Sequence, residues 1–419
     1  MAAQTSYTFY GVVEDGFVFN GTSYYPEPAG YTAGQKITGS LTLTGSVAAT
    51  WISLPEDARF LGIATDLAQA EVNFFFPQAS SGDWTEAYLT SNLSLGSTDD
   101  QRPLEDFRAT LANEFFVTKL LLDQLGFGGA WLTYDDSQPA IVSGAWVPAG
   151  VTPNLVYGTR EADILRPSAS LSLVWGGRGE DDIRVRSGEA FVWGGEGDDT
   201  IRGNAGRDFI WGGIGDDIIN GKGGDDFLNG QFGDDVIDGG SGNDRIWGGP
   251  GFDLIRGGSG DDILDGGGGL DTVLGGAGND FIVSGHGNID ESYELERSIS
   301  KGGSGDDIIL AANDAILTGG SGADTFVLGL VRFIGDPGFL NGLNVTDFQP
   351  GVDRLSIIAG ESGRYDTFEE IIAAGVQVGS DVVFNFFPEL TDDLPSLVLE
   401  EVQLSRLSPG DFIFGDFLL

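Results

Sequence analysis

The sequence predicts an all-β protein in three regions, and three observations carry that reading. Residues 1–150 alternate apolar and polar side chains between turn residues. From Gly194 to Val283 one nine-residue unit repeats ten times, as in GGEGDDTIR, GNAGRDFIW and GGIGDDIIN. Beyond residue 327 further short apolar runs follow, with one helix-like phrase among them. The expected domains are therefore a β-sandwich over 1–150, a repeat region over 158–327 and a β-rich cap over 328–419.

In the first region SYTFYGVVED, QKITGSLTLTG, GAWLTYDD and IVSGAWVP read as strands with turn breaks, which points to an antiparallel sandwich. Residues 103–125, PLEDFRATLANEFFVTKLLLDQL, have the apolar spacing of a helix, with a strand pair as the alternative. Chemistry is thin here. Glu14-Asp15, Glu56-Asp57, Asp99-Asp100, Glu105-Asp106 and Asp135-Asp136 are adjacent acidic pairs. Neighbours on a strand face opposite ways, so such pairs read as solvated surface. Trp51, Trp84, Trp131 and Trp146 read as core or interface.

The repeat carries Gly at its first and fourth places, Asp at its sixth and an aliphatic residue at its eighth. A short fixed period means that each unit buries its apolar side only by stacking on its neighbours. Glycine opens backbone conformations closed to other residues, and aspartate supplies hard oxygen ligands. The chemistry at this spacing is calcium binding. Units beginning at 158, 167, 176 and 185 keep the phase, so 158–283 holds fourteen units. The units at 158 and 176 carry Asp163 and Asp181, whereas those at 167 and 185 carry Ser172 and Ala190 in the sixth place. Residues 284–301 break the pattern, and the charged ESYELERSISK favours an excursion over a degenerate coil. Phase resumes at Gly302 with Asp307, passes a worn unit containing Asp314, and ends at GGSGADTFV with Asp324.

Composition narrows the function. The chain has 419 residues, no Cys, one His and a net charge of −43. Disulfides, thiolate sites and multi-histidine metal sites are excluded. A Ser–His–Asp set would need His286, in a Gly-rich SGHGN turn, and no G-x-S-x-G elbow occurs. A carboxylate-pair mechanism remains possible, because such chemistry needs no histidine. The strong negative charge argues against nucleic acid and anionic lipid as partners. No apolar stretch is long enough to span a bilayer, so membrane insertion is not expected. The opening MAAQTSYTFY lacks the basic start and apolar core of a secretory signal peptide.

These nonapeptides resemble the RTX (repeats-in-toxin, haemolysin-type) calcium-binding family. The resemblance implies a parallel β-roll with two units per coil, in which six-residue turns hold calcium and three-residue strands point an apolar residue inward. Turns then alternate between two flanks. One runs Asp163, Asp181, Asp199, Asp217, Asp235, Asp253, Asp271; the other runs Asp208, Asp226, Asp244, Asp262, Asp280. Pairing neighbours suggests six sites on the first flank and four on the second, where calcium starts late. With Asp307 and Asp324 the expected total is roughly nine to twelve Ca²⁺. Outward positions of one sheet read Leu173/Trp175, Phe191/Trp193, Phe209/Trp211, and those of the other Ile164/Arg166, Asp182/Arg184, Thr200/Arg202. The aromatic face either stiffens the sheet or is covered by another part of the chain or a partner.

The last hundred residues resemble the C-terminal region of type I-secreted RTX proteins. FVLGLVRF and NVTDFQPGVDRLSI read as strands about a turn at Gln349-Pro350-Gly351, and TFEEIIAAG reads as one short helix. The resemblance implies export through a type I secretion apparatus with an uncleaved signal in FIFGDFLL, hence a secreted or cell-surface protein. Calcium is scarce inside the cell and near ~10⁻³ M outside, so folding is expected only after export. The reading is a non-catalytic surface, matrix or adhesion protein with a cell-surface polysaccharide or protein as partner. The alternative is a secreted hydrolase or polysaccharide lyase with its active site in residues 1–150.

Overall fold

In a computed structural model the described residues are 4–13, 18–19, 22–23, 36–44, 47–49, 63–65, 69–75, 87–89, 115–118, 127–133, 139–148, 150–284, 297–311, 315–329, 342–358, 367–386 and 397–413. The chain divides into two compact units, Met1–Pro153 with Leu419, and Asn154–Leu418.

The first unit contains a seven-stranded antiparallel sheet in the order Ala87–Leu89, Gln69–Phe75, Lys36–Thr44, Gln4–Val13, Pro139–Pro148, Phe127–Thr133, Phe115–Thr118. All four expected strands are present in it. Val12, Ala145 and Val147 are buried, in keeping with an apolar side to this sheet. A second sheet of comparable size, as a sandwich would need, is not among the described residues; the remaining pieces are two-stranded. One expectation is corrected. Phe115–Thr118, inside the stretch with helical spacing, is a strand paired with Gly129–Leu132, because its Phe-Phe-Val-Thr run suits a pleated surface. The five acidic pairs, Trp51 and Trp84 lie outside the described residues.

In the second unit the chain winds into a parallel β-roll of two facing sheets. Through the repeats each strand pairs in parallel with the strand two along the chain, at a step of eighteen residues up to Val283, as in Val174↔Val192 and Val192↔Ile210. The eighth place of each unit points inward. One column runs Val174, Val192, Ile210, Leu228, Ile246, Leu264 and Ile282; the other runs Ile183, Ile201, Ile219, Ile237, Ile255 and Val273, and all are buried. Each residue faces its own chemical kind above and below, so the core is a stack of aliphatic layers rather than a ball.

The interruption after Val283 resolves into two halves. Thr272 pairs with Ile299, a step of twenty-seven residues instead of eighteen, so nine residues are added and the stack continues. Ser298–Ser304 is a strand of the second sheet, with Ser300 in the inner column. The expected excursion therefore covers only part of 284–301, and residues 285–296 lie outside the described ones. Small serines explain how this polar unit fits: Ser298 and Ser300 are buried without steric conflict, although the Ser300 hydroxyl finds no partner. The worn unit keeps its place in the stack, with Ala315 level with Ser298, and Asp314 lies outside the described residues.

Beyond residue 327 the two sheets simply carry on. Leu317 pairs with Val345 and Val345 with Leu399; Phe326 pairs with Leu355 and Leu355 with Phe412. The helix Phe368–Ala374 forms where the phrase predicts it, with the Glu370 N–H donating to Thr367 Oγ1 at 3.3 Å. Gly375–Val378 and Asp381–Phe384 make an antiparallel hairpin against Leu397–Leu399. Its larger side chains, Phe384 and Phe386, are fully buried and close the aliphatic stack.

In two turns a residue other than glycine takes left-handed backbone at the second place. Lys222 (φ 81°) and Gln231 (φ 80°) hold left-handed backbone that neighbouring units give to glycine, as at Gly213 (φ 126°). A side chain there costs about 1–2 kcal/mol, and the flexibility of glycine in the unfolded chain offsets about half. Lys222→Gly is expected to stabilise the calcium-loaded protein by about 0.5 kcal/mol, read as a rise in denaturation midpoint. A fall in midpoint would contradict it.

Candidate metal centre

Each six-residue turn brings the sixth-place aspartate back under its own first-place residue. The structure strings these aspartates into two rows. On one flank the main-chain N–H of Asp163 donates to Oδ1 of Asp181 at 2.7 Å, and the link passes on through Asp199, Asp217, Asp235, Asp253 and Asp271. On the other, Ala190 donates to Oδ1 of Asp208, and the chain of bonds runs through Asp226, Asp244, Asp262, Asp280, Asp307 and Asp324. The second row thus crosses the insertion, which the expected pairing had ended at Asp280. It also reaches Asp353, whose Oδ1 accepts from the Asp324 N–H at 3.1 Å. Sequence reading missed Asp353 because Phe348 and Gln349 stand where glycines are usual. The surviving signal was Gly351, Asp353 and Leu355 at the fourth, sixth and eighth places.

The other carboxylate oxygen is the informative one. Oδ2 accepts no hydrogen bond in Asp181, Asp199, Asp217, Asp226, Asp235, Asp244, Asp253, Asp262, Asp271, Asp280, Asp307 and Asp324, all buried. A buried anionic oxygen without a partner is costly, and twelve in one domain is not a tolerable accident. Each points to the space beside the first-place glycine. At Gly212 an added methyl would collide with Asp217 Oδ2 and with the Gly230 carbonyl of the next coil. The same pairing of carboxylate and next-coil carbonyl recurs at Gly176, Gly194, Gly230 and Gly248 on one flank, and at Gly221, Gly239, Gly257, Gly275 and Gly302 on the other. The first glycine is therefore required for space, whereas the second-place glycine eases a left-handed backbone that Lys222 and Gln231 also adopt.

Electrostatics agree. Burial pushes the Asp217 and Asp226 carboxyls up to about 9, Asp199 and Asp253 to about 8, and Asp235, Asp262, Asp271 and Asp307 to about 7. Asp181, Asp244 and Asp324 are raised to about 6 by the same cause. Neighbouring carboxylates in the row add to the burial effect at most of them. An ionised row needs a cation. No three His, Asp or Glu side chains converge on one point among the described residues. Ten of the twelve instead join an open carboxylate oxygen to a main-chain carbonyl, all-oxygen donors suited to calcium rather than to a soft transition metal.

The family model of the RTX calcium-binding nonapeptide repeat (four copies) matches residues 193–228, 220–255 and 247–282. Residues 193–282 are RTX repeats. The RTX segment is calcium-binding by family, and the open carboxylates of Asp199 to Asp280 fall within it. Among solved structures the chain is similar to the AlgE6R3 subunit of the mannuronan C5-epimerase from Azotobacter vinelandii, at 25% identity over 37% of this chain and 79% of that one, with a TM-score of 0.18. It is also similar to the extracellular lipase LipA from Serratia marcescens, at 20% identity and a TM-score of 0.19. That match takes in 58% of this chain and 45% of the lipase, so less than half of the lipase is spanned. No curated protein matches the chain.

Outside the RTX turns the two faces differ as their sequences do. Tyr157, Trp175, Trp193 and Trp211 stack at 5.0, 5.1 and 5.2 Å with planes within 11° of parallel. Trp175 and Trp193 are buried and Trp211 is half-buried. On the opposite sheet Asp182 is shared by Arg166 at 2.6 Å, Arg184 at 3.0 Å and Arg202 at 3.4 Å. These partly exposed pairs contribute little stability each, about 0–1 kcal/mol.

Blocking one cradle gives a direct test of its role. Gly212→Ala adds only a methyl, yet it occupies the space between Asp217 Oδ2 and the Gly230 carbonyl. The variant is expected to bind one calcium fewer and to lose about 2–4 kcal/mol, from overpacking and the lost ion together. An unchanged ion count by native mass spectrometry would show that the cradle is not a metal site.

Proposed function

We propose that this chain is a secreted calcium-binding RTX protein whose roll folds when it meets extracellular calcium, and that it serves a non-catalytic role at or near the cell surface. The twelve buried, unpartnered Asp oxygens carry the reading, since a cation reconciles them, in the ionised state, with a stable fold. When bound, calcium supplies the positive charge that the rows lack. The residues proposed to hold it are Asp181 to Asp271 on one flank and Asp226 to Asp324 on the other, with about ten ions, one for each of the ten places where an open Oδ2 also meets a next-coil carbonyl. Among the described residues no helix is long and apolar enough to cross a membrane. Export through a type I apparatus, and a surface polysaccharide or protein as partner, complete the proposal.

The affinity window tests it. In a calcium titration of the full chain followed by circular dichroism, the β-signal is expected to appear cooperatively between about 10⁻⁴ and 10⁻³ M calcium. A midpoint below about 10⁻⁶ M would let the roll fold before export and would overturn export-coupled folding.

A further inference from the structure

Fifteen turns carry a sixth-place aspartate in the two rows, yet only twelve leave Oδ2 open. The three exceptions are Asp163, Asp208 and Asp353, and all close Oδ2 in the same way. The N–H of the second-place residue donates to it: Thr159 to Asp163 at 2.6 Å, Asn204 to Asp208 at 2.8 Å, Gln349 to Asp353 at 2.7 Å. In the twelve open turns the second place instead has positive φ, whether the residue is glycine or, twice, Lys222 and Gln231. A left-handed second residue extends the strand ladder to the next coil, as in Gly195↔Gly213 and Lys222↔Gly240. Its amide then serves the ladder and is lost to the aspartate.

The three closed turns stand at row ends: Asp163 and Asp208 begin the two rows, and Asp353 ends the second. Side chains complete two of the closures. Thr159 Oγ1 donates to Asp163 Oδ2 at 2.9 Å. The Asn204 amide nitrogen donates to both oxygens of Asp208 at 3.2 and 3.0 Å, and to the Gly188 carbonyl of the neighbouring turn at 2.7 Å. That turn has Ala190 in the sixth place, and the carboxylate of its Glu189 is paired with Arg207 at 3.1 Å. The Asn204 amide thus bridges a carboxylate in one turn and a carbonyl in another, as a cation would.

We infer that the backbone hand of the second-place residue decides whether a turn takes calcium, and that Thr159, Asn204 and Gln349 form metal-free clasps at the ends of the rows. This rests on the calcium-binding reading above and adds which aspartates stay out of it. A clasp lets the last turn of a row hold its shape where calcium would have an aspartate-bearing neighbour on one side only.

Anomalous diffraction from crystals of the unmodified chain grown with calcium is the test. Ions are expected against the open aspartates and none against Asp163, Asp208 or Asp353; an ion held by Asp208 overturns the inference. In solution, Asn204→Gly and Thr159→Gly are each expected to gain one ion per chain by native mass spectrometry at about 10⁻³ M calcium. Folded variants with the parent ion count would equally sink it. An unmodified chain that binds no calcium would instead refute the proposed function, which keeps the two failures apart.

Discussion

Chelating calcium at pH 8 is expected to abolish the β-signal of the roll. Sites with dissociation constants on the order of 10⁻⁴ M, at about 10⁻³ M calcium, each add roughly 1.4 kcal/mol to the native state. Ten cradles, each joining an open Oδ2 to a next-coil carbonyl, then contribute about 14 kcal/mol, as much as the whole stability of an ordinary domain, about 5–15 kcal/mol. Removal also leaves the two carboxylate rows uncompensated in a buried setting. Nothing else in the roll offsets a loss of that size, since its layers are thin and each coil touches only its neighbours. Far-ultraviolet circular dichroism before and after chelator is the measurement; a spectrum unchanged by chelator would mean that the rows are held without metal.

Acid should partly restore what chelation removes. In the metal-free roll burial raises the row carboxyls, so the folded state binds more protons than the unfolded chain at intermediate pH. Stability of the metal-free state must then rise as pH falls. The gain starts near pH 9 with Asp217 and Asp226, continues near 8 with Asp199 and Asp253, and takes in Asp181, Asp244 and Asp324 near 6. It is complete only below the ordinary carboxyl value near ~4. With calcium present the sign reverses, because protons compete for the same oxygens. Chelated chain should therefore show more β-structure at pH 5 than at pH 8, and calcium-loaded chain should release ions over that interval. Loss of structure in the chelated sample on acidification would contradict the assignment of these carboxyls to the buried rows.

Much of the roll was legible because its signal is periodic. Ile183, Ile201 and Ile219 share the eighth place at a step of eighteen, and that step alone sets the parallel register. The aspartates announced themselves for the same reason. What the sequence hid was local and non-periodic. That 298–304 is a strand follows from the size of Ser298 and Ser300, whereas the charged ESYELER ahead of them suggested departure. Asp353 was masked by the Phe and Gln that precede it, although its hydrogen bond to the row is intact. The closure of Asp208 depends on the backbone hand of Asn204, which a residue name does not disclose. In the first unit the strand at Phe115 was an ambiguity of period, since a short apolar run satisfies helix and strand alike.

The column of rings on the first sheet has an optical consequence. Tyr157, Trp175, Trp193 and Trp211 lie nearly parallel at about one coil spacing, and the parallel stacking stops at Asn229, beyond which the tilted ring of Phe227 links Trp211 to Trp247. Indoles so placed couple their transition dipoles, and the coupling exists only while adjacent coils are stacked. The near-ultraviolet dichroism of the column is thus an internal clock for the earliest coils alone, while the far-ultraviolet band averages over all of them. Recorded together after calcium is added, the two signals tell from which end the helix of coils winds up.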